Sequence, residues 1–126
     1  LIKSYKDSYD YSEEVQTLIN SVLENPEFIG GTSSFDTKVM KTAKGKIFCK
    51  SGAEGVFLFI DIQKEISGVV KIIDGNERAI PISILNIFKK LKVMTREELN
   101  NLEKKEKFDL KNHAGRNIGH ISLTMK

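Results

Sequence analysis

The run from Val56 to Ile62 is almost wholly apolar, and it follows closely on a second strand-like run, Lys46 to Lys50. A strand apolar on both faces needs cover on both. Only the short break Ser51 to Gly55 separates the two runs. A parallel crossover needs about a dozen residues or more, so the runs are expected to pair antiparallel. Gln63-Lys64-Glu65 makes an equally short break before a third run, Ile66 to Ile73. Gly68 lies inside that run, where a glycine marks a bulge or a close approach.

Helical patterns surround these strands. Ser12, followed by Glu13 and Glu14, starts a helix whose apolar face is Val15, Leu18, Ile19, Val22 and Leu23. Asn25-Pro26 ends it. Gly30-Gly31 reads as a flexible turn. Thr32 or Ser33 then caps a short helix, Ser34 to Met40, with Phe35, Val39 and Met40 toward the core. Asn76 caps a helix from about Glu77 or Arg78 to Lys90, and Pro81 fits its first turn. Thr95 opens a short helix through Leu99 and Leu102. Residues 1–11 read as an irregular lead-in, 108–112 as extended, and 118–124 as a last strand. The class is α+β, an antiparallel sheet flanked by helices.

With 126 residues the chain has enough material for one core, so it is expected to be a single domain or a domain fragment. Its start, Leu1-Ile2-Lys3-Ser4, lacks an initiator Met and a signal-peptide core, and reads as the interior of something longer. A trimmed start is the alternative. The net charge is +3, from 20 basic and 17 acidic residues that alternate in sign. No concentrated basic patch is evident, so no nucleic-acid partner is expected. No apolar run is long enough to span a bilayer, so no membrane partner is expected either. Cys49 is the single cysteine, and with His113 and His120 it has no zinc-site spacing. Neither a metal nor another cofactor is expected. A lone thiol suits a reducing, cytoplasmic compartment.

The residues best suited to chemistry lie where the first strand ends. Lys50 can attract a substrate carboxylate or stabilise developing negative charge. Ser51 can donate a hydrogen bond to the same group, and Gly52 lets a substrate come close. Glu54 can orient a lysine or a hydroxyl, or cap the turn. Asp36 can hold a backbone N–H or a neighbouring arginine, or stabilise its helix N-terminus. Cys49 alternates with Lys50 and is expected to face the core if Lys50 faces a site. A serine nucleophile paired with a lysine on one helix face needs Ser-x-x-Lys spacing. No serine of this chain has a lysine three residues on.

Several blocks then appear together: Asn25-Pro26-Glu27-Phe28-Ile29-Gly30-Gly31-Thr32, Phe35-Asp36-Thr37-Lys38-Val39-Met40, and Lys50-Ser51-Gly52-Ala53-Glu54-Gly55. Val70 to Ala79 and Leu110 to Gly119 continue the series. In this order and spacing they resemble the bacterial asparaginase II family of the thermolabile, Rhizobium type. The resemblance covers nearly the whole chain and about the C-terminal third of a family member. One departure is Ser34, where the family commonly has an arginine.

The resemblance implies hydrolysis of L-asparagine to L-aspartate and ammonia through a serine acyl-enzyme. It implies a fold similar to serine β-lactamases and penicillin-binding proteins, of which this chain would be the C-terminal part. Lys50 matches the family's active-site lysine, and Ser51 and Gly52 complete that likeness; Glu54 and Asp36, from the reading of the residues, are expected with them around the substrate. The nucleophile would lie in an N-terminal portion of the same protein, leaving this chain inactive alone. The partners are then a small amino-acid amide, that N-terminal portion, and a second copy if exposed strand edges pair. Lys50 is placed by this reading at the sheet edge beside an exposed apolar surface. Two alternatives are a self-associating binding domain, favoured by dimerisation through strand 56–62, and another serine acyl-transfer hydrolase.

Overall fold

A computed structural model describes residues 11–124. In chain order the elements are α1 (Ser12–Glu24), α2 (Glu27–Gly30), α3 (Phe35–Ala43), β1 (Ile47–Gly52), β2 (Val56–Asp61) and β3 (Ile66–Lys71). A 3₁₀ turn (Glu77–Ala79) leads into α4 (Ile80–Leu91), followed by α5 (Arg96–Glu103), β4 (Asp109–Lys111) and β5 (Asn117–His120). The fold is α+β, as expected from the sequence. The strands β1, β2 and β3 form one antiparallel sheet in that order, and β4 and β5 form a separate hairpin. The lead-in expected over residues 1–11 lies, up to residue 10, outside the described residues.

The sheet is covered unequally. Ile47 and Cys49 of β1, Phe57 and Phe59 of β2, and Ile66 and Val70 of β3 share one face. On that face Val39, Met40 and Ala43 of α3, Ile84 and Phe88 of α4, and Leu102 of α5 complete the main core. Phe59 meets Phe88 edge to face at 5.0 Å. Gly68 is a close approach rather than a bulge. The β2–β3 register runs unbroken, and a Cβ there would sit 2.6 Å from the Phe59 ring. On the opposite face α1 sets Ile19 against Ile60 and Ile62, with Phe48 beside them. Farther along, the row Lys50–Leu58–Val69 extends past this second cluster, and Val69 is 64% exposed.

The boundaries differ from the sequence reading in instructive ways. Ser12 is the first helical residue and not the cap: Tyr11, in left-handed backbone, precedes α1 and makes no side-chain cap. Ser34, rather than Thr32 or Ser33, caps α3, its Oγ accepting the Thr37 N–H at 3.3 Å. Strand β1 runs on through Ser51 and Gly52, which pair with Phe57 and Val56. The turn is thereby cut to Ala53-Glu54-Gly55, with Glu54 and Gly55 both at positive φ. Asn76 does cap, but it caps the 3₁₀ turn through the Arg78 N–H, and α4 proper starts at Ile80. Thr95 caps α5 and is joined by Glu98 in a reciprocal pair of hydrogen bonds.

Candidate functional site

The site begins with an edge strand. Among the described residues β1 pairs only with β2, so its outer backbone groups need other partners. Helix α3 supplies one. Asp36 stands in its first turn and is 1% exposed. One carboxylate oxygen, Oδ1, accepts the Thr37 N–H at 3.1 Å, and the other, Oδ2, accepts the Ser51 N–H at 3.1 Å. Asp36 thus does both things open to it from sequence: it supports the helix start and holds a backbone N–H of the strand.

Lys50 reaches the same carboxylate. Its Nζ lies 3.6 Å from Asp36 Oδ2 and donates to the Ser51 carbonyl at 2.6 Å. The Lys50 side chain stays 44% exposed. Burial pushes the Asp36 pKa up. The Ser34 hydroxyl, the Ser51 amide, the Lys50 ammonium and the Thr37 amide outweigh it and hold the carboxyl below its ordinary range. Cys49 points the other way, fully buried, with its thiol 3.4 Å from the Asp36 carbonyl. Burial and the Asp36 charge push that thiol well up, against a smaller opposing effect of Lys50.

The loop before α3 is shaped around Asp36. A Cβ on Gly30 would fall 2.4 Å from Ser34 Oγ and 2.5 Å from Asp36 Oδ1. Gly30 therefore serves a close approach, and Gly31, at φ 79°, makes the turn. Thr37, also buried, ties this loop to the helix by donating to the Gly31 carbonyl at 2.7 Å.

Asp36, Lys50 and Ser51 line one cleft of about 440 Å³, together with Gly30, Glu77 and Arg78. Gly52 and Glu54 do not line it. Gly52 is exposed at the end of β1, beside Val56. Glu54 is a turn residue whose carbonyl accepts from Lys71 Nζ and whose backbone packs near Gly75. His120 pairs with Asp109 at 2.9 Å on the outlying hairpin, and His113 is exposed in that hairpin's turn. Among the described residues no group of His, Cys, Asp and Glu is placed to hold a metal ion, and no helix is long and apolar enough to cross a membrane. Sequence reasoning had not placed Arg78 or Gly30 in the site. Gly30 left a signal, since a glycine directly before a turn glycine invites a second explanation.

An α+β protein that sets an ammonium, a hydroxyl and a buried carboxylate around one small cleft has the groups to hold a small polar molecule. The family model for L-asparaginase II matches residues 1–123, and the chain belongs to that family. At family level its function is asparaginase-like hydrolysis of an amide substrate. A comparison with curated proteins finds no match.

Proposed function

We propose that this chain forms the lysine-bearing wall of an L-asparagine amidohydrolase site. The observation that carries the reading is the Asp36–Lys50–Ser51 cleft in a chain matching the asparaginase II family along its length. The reaction is amide hydrolysis through an acyl-enzyme. A serine outside these 126 residues attacks the side-chain amide carbon, and a lysine paired with it takes the hydroxyl proton. Lys50 stabilises the negative charge that develops on the carbonyl oxygen. Ammonia leaves with a proton, and water hydrolyses the acyl ester to release L-aspartate. Asp36 acts through position: by binding the Ser51 amide it fixes the strand end that carries Lys50. Ser51 offers its hydroxyl to the substrate.

No Ser-x-x-Lys pair exists in this chain, so the chain by itself is proposed to be inactive. The likeness to the β-lactamase fold belongs to the same proposal, as does the reading of residues 1–126 as one domain or part of one. Pairing of two copies through β2 is disfavoured, because β2 is the central strand and both of its edges are taken.

The test is ammonia release from L-asparagine and L-glutamine by the full-length protein, with and without Lys50→Ala. The expected result is turnover of an amino-acid amide that Lys50→Ala cuts by about a hundredfold or more in kcat. Undiminished turnover would remove Lys50 from the mechanism. Ammonia release by the 126-residue chain alone would remove the external nucleophile.

A further inference from the structure

We propose that Arg78 reads the α-carboxylate of the amino-acid amide, making it a specificity-determining residue of this cleft. The inference rests on the amidohydrolase reading above and names a residue that the reading did not use.

Arg78 lines the cleft that holds Lys50, Ser51 and Asp36, although it comes from a segment far along the chain. Its backbone is held in place. The Arg78 N–H donates to Asn76 Oδ1 at 3.0 Å, and the Asn76 N–H donates to Asp74 Oδ1 at 3.0 Å. This segment rests on the β1–β2 turn. The Ile72 N–H donates to the Gly55 carbonyl at 2.8 Å, and a Cβ on Gly55 would lie 3.1 Å from the Gly75 carbonyl. The hairpin bearing Lys50 therefore also sets the position of the turn bearing Arg78.

The charges are divided unevenly among the lining groups. Lys50 is engaged with Asp36 and with the Ser51 carbonyl. Arg78 has a looser partner: its Nη2 lies 3.7 Å from Asp74 Oδ2, and both side chains are more than half exposed. Such a pair yields readily to a better acceptor. A guanidinium matches a carboxylate with two parallel N–H donors. Glu77, next in sequence and also lining the cleft, supplies the opposite charge for the α-ammonium. An α-amino-acid head group carries both charges, and an amide without the α-carboxylate leaves the guanidinium unmatched.

The experiment compares two amides in the full-length protein: L-asparagine, and 3-aminopropanamide, which is L-asparagine without its α-carboxylate. The expected result is a preference for L-asparagine that Arg78→Met collapses by about tenfold or more, through KM rather than kcat. Arg78→Lys should recover part of it. Equal loss on both amides would reveal a structural role and overturn the proposal, as would no loss on either. Calorimetric binding of L-aspartate and β-alanine separates this inference from the function on which it rests. If neither amide is hydrolysed, the amidohydrolase reading fails. Selective weakening of L-aspartate by Arg78→Met would still support Arg78 as the carboxylate reader, and equal binding in both proteins would overturn it.

Discussion

The Asp36 carboxylate closes the open edge of the sheet at Ser51, accepting its N–H at 3.1 Å from the first turn of α3. Without it the Ser51 amide loses its acceptor inside the protein, while the Thr37 amide keeps Ser34 Oγ. A buried donor left unpaired costs about 1–3 kcal/mol. Asp36→Ala should therefore lower stability by about 2 kcal/mol. Asp36→Asn keeps one acceptor oxygen and should lose about half as much. The contribution of Lys50 is the smaller one, because its side chain is 44% exposed and solvent screens the pair. Urea unfolding of the two variants and of Lys50→Ala gives this order directly, provided the m-values agree.

The same carboxylate predicts an acid limb. Its pKa is held below the ordinary range by the partners that outweigh burial. A folded pKa lower than the unfolded one means that protonation favours the unfolded chain. The stabilisation is thus complete above the unfolded value of about 3.9, and it is lost as pH falls through the lower folded value. Glu98, pushed up by burial and brought lower by Lys46 and Thr95, acts in the same direction. Stability measured by urea midpoints should be level toward neutral pH and decline in acid. Asp36→Asn should flatten that decline in part, leaving the share due to Glu98 and to the other lowered carboxylates, Glu27 and Asp109. A decline identical in the variant would remove Asp36 from the acid limb.

The sheet was legible because β2 is so apolar and its flanking turns are so short. Those two features leave one way to pair. The position of Lys50 opposite Cys49 followed from strand alternation, and Asp36, Lys50 and Ser51 line one cleft. Other features were hidden for physical reasons. Ser51 and Gly52 read as turn residues, yet a left-handed Glu54 lets the hairpin close in three residues and draws both into the strand. Arg78 could not be assigned to the site from sequence, because its place depends on Gly55 and Gly75 packing turn on turn. The row Lys50–Leu58–Val69 could not be seen as incompletely covered until α1 was found to cover only the Phe48 and Ile60 end.

Gly30 tests how tightly the loop is built around Asp36. A methyl group there would overlap Ser34 Oγ and Asp36 Oδ1. Either the helix cap or the carboxylate must move, and overpacking of this kind costs about 1–3 kcal/mol. Gly30→Ala should destabilise the protein and weaken the hold on the Ser51 amide. Amide exchange at Ser51, followed by NMR, should accelerate more than exchange at the β2–β3 pairs. Gly31→Ala gives the contrast, because a Cβ there meets nothing within 4 Å and only its positive φ resists the change. Its effect on Ser51 exchange should be the weaker of the two.

Cys49 reports on the same contact from the core side. Its thiol is fully buried against the Asp36 carbonyl, and burial with the Asp36 charge pushes its pKa well above the ordinary thiol value. The thiolate is the reactive form, so the native protein should resist a thiol reagent on two grounds, access and ionisation. Reaction then requires α3 and β1 to part, and its rate follows the population of that opened form when reclosing is fast. Labelling with a chromogenic disulfide at neutral pH should be slow in buffer and rapid and stoichiometric in urea. Asp36→Ala loosens the contact and so raises the population of the opened form from which Cys49 reacts. An acceleration of about tenfold or more is expected, in line with about 2 kcal/mol of lost stability. Ile19→Ala leaves a cavity between α1 and the opposite face of the sheet, away from the α3–β1 contact. At matched loss of stability it should accelerate labelling less than Asp36→Ala if the opening is local, and equally if Cys49 is reached only by global unfolding.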